Sequence, residues 1–283
     1  MSTLLGIYRE PECSPGRHLS NDSLLIEQIA RELSARGASV RLLHAEEALA
    51  ERPDVDLVFS MCQGPAALEG LLDWSRRGAR IVNDPAAALN TYRDHLPTLL
   101  ANAAVPYPAT RLLDTAAALD ADLVVDRPMW LKRGDLHASV SSDVQRVETA
   151  AQLRAGLADF VARGVDHVAL QEHRPGTEIK FYGVAGRTFF HWFVTNDAGS
   201  PAPSTPALQD LAERAAAAAG LGIFGGDVIV GPTGDLTLID LNDWPSFAPC
   251  REAASEAIAD FLMRRVDAAW NRGLVSSAHE GAL

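Results

Sequence analysis

The first ninety residues alternate short apolar segments with amphipathic ones, and this alternation constrains the fold more than any other feature. The segment TLLGIY is typical of a strand, and residues 21–37 place Leu25, Ile29 and Leu33 at helical spacing. Further strands are predicted at ASVRLL, DVDLVFSM and ARIVND, with a helix at PAALEGLLDWSRRG. Because strands that alternate with helices usually pair in parallel, the sequence predicts an open parallel α/β sheet.

Two loops follow predicted strands of this sheet. The turn from Glu12 to Asn21 contains Arg17 and His18, and a second loop runs over residues 61–64. Ligands of open α/β sheets bind at the carboxyl ends of the strands. We therefore expect substrate recognition at these two loops, with Arg17 and His18 as candidate contacts.

The overall charge and the cysteine content exclude several classes of protein. The formal charge is −12, from 25 basic and 37 acidic residues, which argues against a nucleic-acid or anionic-membrane partner. The sequence has no apolar run long enough for a membrane span, and its start lacks the features of a signal peptide, so we expect a cytoplasmic protein. The cysteines, Cys13, Cys62 and Cys250, show no paired spacing that indicates a disulfide framework or a zinc site.

Acidic residues crowd the end of a predicted hairpin, GGDVIVGPTGDLTLIDLN. If the turn lies near Thr233, Asp227 and Asp240 face each other across the two strands, and Asn242 lies on the same face as Asp240. Two facing carboxylates repel, and a divalent cation such as Mg²⁺ removes that repulsion. The alternative is that Asp227 caps a turn and Asp240 pairs with a surface arginine; for the three residues together we favour the metal.

The order of three segments resembles the ATP-grasp superfamily from about Arg80 to Trp270. LTLIDLNDWPSF resembles the last signature of that family, as it occurs in ribosomal-protein glutamate ligases and in inositol polyphosphate kinases of this fold. RIVNDPAAALNTYRDHLPTLLANAAVPYPAT resembles the segment that enters the ATP-grasp domain, and VALQEHRPGTEIKFYGV resembles the hinge between its lobes.

This resemblance implies a domain organisation. Residues 1–90 are expected to form a Rossmann-like pre-ATP-grasp domain of the α/β class, followed by a two-lobed α+β ATP-grasp domain. Residues 91–172 would supply the helix that enters the domain and the small lobe. Residues 173–273 would form the large lobe with the metal site, and residues 274–283 a tail.

The resemblance also implies cofactors, ATP and Mg²⁺, and roles for individual residues. Lys132, next to a glycine loop, would contact the ATP phosphates, and the backbone of residues 171–173 would bind adenine. Asp227, Asp240 and Asn242 would hold the metal. The other candidates for nucleotide binding are Arg93, His95, His137, Gln171, Glu172, His173 and Glu178, with Lys180 and Arg174 as further catalytic candidates and Arg251 as a further substrate contact.

Several of these roles have alternatives. Glu178, expected at the ribose, and Lys180, expected at the phosphates or at a substrate carboxylate, could instead form a cross-strand ion pair worth under about 1 kcal/mol. His137 is either a substrate contact or a loop-packing residue, and Arg251 either a substrate contact or a surface ion pair. The family usually has a lysine where His95 stands, so either Arg93 replaces it or nucleotide binds more weakly.

The resemblance implies an ATP-dependent ligase that joins a small-molecule carboxylate to an amine through an acyl phosphate. A kinase of the inositol-phosphate kinase type is the nearest alternative, since IDLNDWPSF fits it nearly as well. A nucleotide-binding protein without catalysis is the third. Many relatives form dimers, so a homodimer is among the expected assemblies.

Overall fold

The computed structural model describes residues 1–14, 17–134 and 140–280, and the side chains of residues 17–19 and 268–280 are outside that description. The described residues form two compact units. The first contains residues 1–85, residues 184–189 and the segment from Trp244 onward. The second contains residues 86–183 and 190–243.

The first unit is built on a parallel sheet, as predicted. Its strands are β1 (Thr3–Ile7), β2 (Ser39–Leu43), β3 (Leu57–Ser60) and β4 (Ile81–Val82), in the order β2-β1-β3-β4. β1 pairs in parallel with β2 and β3, and β3 pairs in parallel with β4.

Helices accompany this sheet where the apolar spacing predicts them, with two differences. They are α1 (Arg17–Ala35), α2 (Ala45–Glu51) and α3 (Pro65–Arg76). α2 was not predicted, and α1 begins at Arg17, so part of the expected turn after β1 is helical. α1 packs its apolar face inward, since Leu25, Ile29 and Leu33 are all fully buried.

The C-terminal helix belongs to this first unit. The helix, α9 (Arg251–Glu280), packs on α1 and β3. Just before it, the fully buried Trp244 contacts the Phe59 ring of β3, and its Nε1 donates a hydrogen bond of 3.2 Å to the carbonyl of Val82. The segment from Trp244 onward thus groups with the first unit, because its partners lie on α1, β3 and β4. The predicted domain limits, including the assignment of residues 173–273 to the large lobe, remain predictions.

The second unit contains two sheets. In the first, β5 (Thr110–Asp114), β8 (His167–Glu172), β6 (Met129–Arg133) and β7 (Val144–Val147) follow one another in space and pair antiparallel. Helices α6 (Thr115–Asp120) and α7 (Ala150–Ala162) supply apolar side chains to its core, including Leu153, Leu157 and Phe160. The apolar residues of DLVVDRPMWLKR predict a pair of strands, but the structure forms only one strand there, β6, in the second half of the segment.

The second sheet of this unit has the order β10-β9-β11-β12. Its strands are β9 (Thr177–Val184), β10 (Phe189–Asn196), β11 (Ile223–Val230) and β12 (Leu236–Asp243). Helix α8 (Thr205–Ala219) precedes β11 and ends at Gly220, whose φ of 83° lies in the left-handed region that glycine adopts without strain. The predicted α/β class, with an open parallel sheet followed by an α+β region, is confirmed.

The sequence AAALNTYRDHLPTLLANA, residues 86–103, predicts a single helix, but the structure divides this region into α4 (Pro85–Leu89) and α5 (Leu96–Asn102). Two polar side chains lie at the break. The Asn90 Nδ2 donates to the carbonyl of Ala219 at 3.1 Å, and the Thr91 Oγ1 donates to the carbonyl of Ala88 at 2.6 Å. Such side chains offer the backbone an alternative to the helical ladder.

Among the described residues, no helix is both long enough and apolar enough to cross a membrane.

Candidate active site

The predicted register of the closing hairpin is confirmed. Asp227 on β11 pairs directly with Asp240 on β12, and Gly225 pairs with Asn242. Asp240 and Asn242 are partly exposed, whereas the alternating neighbours Leu241 and Asp243 are buried. The turn and the apolar alternation therefore place two carboxylates face to face, with the Asn242 amide beside them.

A β-bulge lies next to this pair, because the register shifts between Asp227 and Val228, which pairs with Leu238. The shift leaves Ile239 as the extra residue of β12. The carbonyl of Ile239 accepts from the Lys132 Nζ of β6 at 3.4 Å. The amide of Leu238 donates to the carbonyl of Pro106 at 3.0 Å. Lys132 of β6 and the linker that precedes β5, defined here as residues 104–109 with Pro106 and Pro108, thus both contact the strand that carries Asp240.

Each acid has a cation beside it. The Lys180 Nζ, on β9, lies 2.7 Å from Oδ1 and 3.0 Å from Oδ2 of Asp227. The Arg93 Nη2 lies 3.7 Å from the Asp240 Oδ2, and its Nη1 donates to the carbonyl of Arg133 at 3.1 Å. The alternative prediction for Lys180 is a cross-strand ion pair, and Lys180 does form one in the structure, from β9 to Asp227 on the neighbouring strand β11.

Burial shifts the pKa values of these groups. Burial lowers the pKa of Lys132 to about 8, and the Arg93 charge adds to that effect, although the Asp240 carboxylate opposes it. Burial also raises the pKa of Asp227, with Lys180 opposing and Asp240 assisting the rise. Burial alone would lower the pKa of Lys180, but the Asp227 carboxylate outweighs it and the pKa is raised. Lys132, Lys180, Arg93, Asp227 and Asp240 are called the cluster below. Pairing between these charged groups offsets only part of the free-energy cost of removing them from water.

Lys132 and Lys180 are the only lysines in the sequence; the other 23 basic residues, histidines aside, are arginines. Both lysines lie in this cluster. A lysine offers a compact ammonium on a flexible stem, whereas arginine offers a planar fork. The two lysines therefore stand apart from the other basic residues, and a count of lysines in the sequence would have drawn attention to them.

Tyr107, which the sequence did not single out, belongs to the same cluster. It stands between the two prolines of the linker, and its hydroxyl shares a hydrogen bond with the Gln171 side chain. Burial raises the pKa of Tyr107 to about 12, and the nearby Asp240 carboxylate contributes to that rise. The Gln171 Nε2 also donates to the Thr110 Oγ1 at 3.2 Å, so this buried amide is held by side chains of the linker and β5.

The donor set fits a hard divalent cation. Asp227 and Asp240 supply carboxylate oxygens and Asn242 an amide oxygen, and Mg²⁺ commonly takes one or two protein carboxylates together with phosphates and water. The buried Asp227 Oδ1 has no hydrogen-bond partner among the described residues, although the Lys180 charge lies close to it. Within those same residues, no group of three or more His, Cys, Asp or Glu side chains is placed to hold a metal ion, so a metal here would have to use the two carboxylates with the Asn242 amide.

The backbone of the predicted hinge is largely bonded within the protein. The amides of Glu172 and His173 donate to the carbonyls of Ala109 and Pro128, at 2.9 and 3.1 Å. These two amides are therefore not available to adenine, and the predicted adenine contact would have to use carbonyl groups of this segment. The His173 Nδ1 accepts from the Trp130 Nε1 at 3.1 Å, and burial lowers the pKa of His173.

Other predicted residues lie away from the acid pair. The His95 side chain is about half exposed and faces Asp94, at 3.9 Å, whereas the buried Arg93 does reach Asp240. Of the two candidates to replace the expected lysine, Arg93 is therefore the one that joins the cluster. Arg174 is exposed and pairs with Glu172 at 3.3 Å.

The predicted substrate contacts lie in the first unit or outside the description. The Arg251 Nη2 donates to the Asn21 Oδ1 at 2.8 Å, and both residues belong to the first unit. Arg17 and His18 lie in α1, but their side chains are outside the description, and His137 lies outside the described residues altogether.

Glu178, the predicted ribose contact, lies near the cluster in the second unit. Its carboxylate is close enough to act on the charged groups there, because it raises the pKa values of both Lys132 and Asp227.

Comparison with solved structures identifies the fold. D-alanine–D-alanine ligase from Bacillus anthracis, complexed with ATP, matches 96% of this chain and 100% of its own with a TM-score of 0.72 and 11% identity. A RimK domain ATP-grasp protein from Sphaerobacter thermophilus matches 92% of this chain and 99% of its own, with a TM-score of 0.67 and 20% identity.

A third similar structure is the ATP-grasp ligase PsnB, complexed with a phosphomimetic variant of its minimal precursor, Mg and ADP. It matches 93% of this chain and 98% of its own, with a TM-score of 0.62 and 18% identity. No protein-family model and no curated protein sequence matches the chain. The chain therefore has the ATP-grasp fold, and these likenesses extend over nearly its whole length.

Proposed function

We propose that this ATP-grasp protein is an ATP- and Mg²⁺-dependent ligase that joins a small-molecule carboxylate to an amine and releases ADP. The observation that carries the proposal is the convergence of Lys132, Lys180 and Arg93 on the hairpin with the facing carboxylates Asp227 and Asp240. Both lysines of the chain lie there, and phosphoryl transfer relies on charge neutralisation and positioning more than on a strong base.

ATP, when bound, supplies the phosphoryl group that activates the carboxylate towards the amine. In this chain, Lys132 and Arg93 would face the phosphate oxygens as buried cations. Burial excludes water around them and strengthens their interaction with an anion. Lys180 is closer to solvent, with 33% of its side chain exposed, and would contact either a phosphate or the substrate carboxylate.

Asp227, Asp240 and Asn242 would hold Mg²⁺ through oxygen atoms. Bound Mg²⁺ neutralises phosphate charge and orients the phosphate chain. Glu178 would accept hydrogen bonds from the ribose hydroxyls, since its carboxylate lies near the cations. One of the similar structures contains ATP and another contains Mg with ADP, which supports the choice of cofactors.

The proposal also covers the substrates of the protein, its cellular location and its oligomeric state. We assign substrate recognition to the segment over residues 12–21, which includes the start of α1, and to the loop over residues 61–64. These segments follow β1 and β3, at the carboxyl ends of parallel strands, where ligands of such sheets bind. The proposal further includes small-molecule substrates, a cytoplasmic location and a homodimer.

A hydroxylamine assay separates the ligase from the kinase. The protein is incubated with ATP, Mg²⁺, hydroxylamine as a general amine, and pools of amino acids and dicarboxylates; ADP and hydroxamate are both measured. A ligase produces hydroxamate in step with ADP, dependent on one carboxylate pool, and Asp240→Asn abolishes both products.

The same assay, repeated with polyol and sugar-phosphate pools, tests the alternative. ADP release with these hydroxyl compounds, without hydroxamate from any carboxylate pool, would contradict the ligase and indicate a kinase. Nucleotide binding without ADP release from any pool would favour the non-catalytic protein.

A further inference from the structure

Lys180 forms an ion pair with Asp227, one of the carboxylates that a bound metal would need as a ligand. The Lys180 Nζ lies within 3.0 Å of both oxygens of Asp227, closer than the 3.7 Å between Arg93 and Asp240. Asp227 is the more buried acid, with 14% of its side chain exposed against 21% for Asp240. Lys180 therefore pairs with the more buried of the two facing acids.

An ammonium and a divalent cation cannot both hold these oxygens. Magnesium binds oxygen at about 2.0–2.1 Å, so a metal on Asp227 would lie within a few ångströms of the Lys180 charge and be repelled by it. Lys180 must leave Asp227 before a metal can use it. Its partly exposed, four-carbon stem allows this movement without disturbance of the strand.

The choice of lysine matters for this exchange. Lys132 and Lys180 are the two lysines of the chain, and the other 23 strongly basic residues are arginines. An arginine at position 180 could form a bidentate pair with Asp227, which is stronger and harder to exchange. A lysine holds the carboxylate as a single point charge that a more negative group can attract away.

We propose that Lys180 keeps divalent metal off Asp227 until the phosphates of a nucleotide draw the ammonium away, so that metal binds with the nucleotide and not before it. This inference rests on the proposed function, because it assumes that the cluster receives a metal and a nucleotide. It adds an order of binding that follows from the contacts of Lys180.

The test is Mn²⁺ binding to the full chain, measured by electron paramagnetic resonance, with and without a non-hydrolysable ATP analogue. The variants are Lys180→Met, Lys180→Gln and Lys180→Arg. The glutamine keeps an amide donor for Asp227 and serves if the methionine variant fails to fold. The arginine keeps the charge and is the matched control.

Without nucleotide, the methionine or glutamine variant should bind Mn²⁺ roughly tenfold or more tightly than the wild type, since loss of a competing interaction of about 1.4 kcal/mol changes an affinity tenfold. The arginine variant should bind it no better than the wild type. With the analogue, the wild type should bind Mn²⁺ tightly.

Equal affinities of the wild type and the neutral variants for Mn²⁺ alone would overturn the inference. If the wild type still bound Mn²⁺ with the analogue, the proposed function would stand. If no form of the protein bound Mn²⁺ with or without the analogue, both the inference and the proposed function would fail.

Discussion

Replacement of Lys132 by methionine should stabilise the protein at neutral pH. Burial lowers the pKa of Lys132 from its ordinary value of 10.5 to about 8. Since one pKa unit corresponds to about 1.4 kcal/mol, the charged Lys132 costs the folded state about 3 kcal/mol at neutral pH. Methionine has a similar length and no charge, so Lys132→Met should raise the free energy of unfolding by up to about 3 kcal/mol.

The gain in stability from Lys132→Met should become smaller as the pH rises. Because the folded-state pKa lies below the unfolded one, the unfolded wild type binds more protons between about pH 8 and 10.5, and wild-type stability rises with pH over that window. The advantage of Lys132→Met should therefore shrink to roughly half near pH 9.5. The same variant should lose nucleotide affinity, as expected when a site holds a destabilising group for function.

The assay is urea unfolding at neutral pH and near pH ~9.5, with hydrogen exchange of peptides from β6 as a local measure of stability. Lys180→Met is the matched control, because it leaves Asp227 buried without its cation and should destabilise the protein by about 1–3 kcal/mol. A Lys132→Met variant less stable than the wild type at neutral pH, or an advantage that did not shrink with pH, would refute the electrostatic reasoning.

Three further substitutions, with His95→Ala as a control, test the cluster. Asp240→Asn should fold normally and lose the Mg²⁺-dependent nucleotide binding in calorimetry, because a neutral amide replaces a charged ligand; Mg²⁺-dependent binding as tight as that of the wild type would contradict the role of Asp240 as a charged metal ligand. Arg93→Met should weaken nucleotide binding at least about tenfold, the effect of about 1.4 kcal/mol, while His95→Ala leaves it unchanged, and the reverse result would assign the phosphate contact to His95. Tyr107→Phe removes the hydroxyl that bonds to Gln171 and should cost about 1 kcal/mol in urea unfolding, whereas no measurable cost would show that this bond adds nothing to stability.

The hairpin register was predictable because it is set locally. The turn and the alternation of apolar residues in β11 and β12 determine which residues face each other, and both are visible in the sequence. The strand and helix alternation of the first ninety residues is likewise a local pattern. Asp227 opposite Asp240 follows from these rules alone.

Contacts between distant segments could not be predicted in this way. Tyr107 joins the cluster through Gln171, and the partner of Lys180 is Asp227, 47 residues later, because strands far apart in sequence meet in space. The break between α4 and α5 depends on Asn90, whose side chain bonds to a residue 129 positions later.

The roles of Lys132, Lys180, Arg93 and the acid pair in binding remain predictions, since a fold alone does not establish a function. The most direct test of the central claim is isothermal titration of ATP and of a non-hydrolysable analogue into the protein, with and without Mg²⁺. Micromolar binding that requires Mg²⁺, and that Asp240→Asn abolishes, is the predicted result. Absence of nucleotide binding with and without Mg²⁺ would contradict the account.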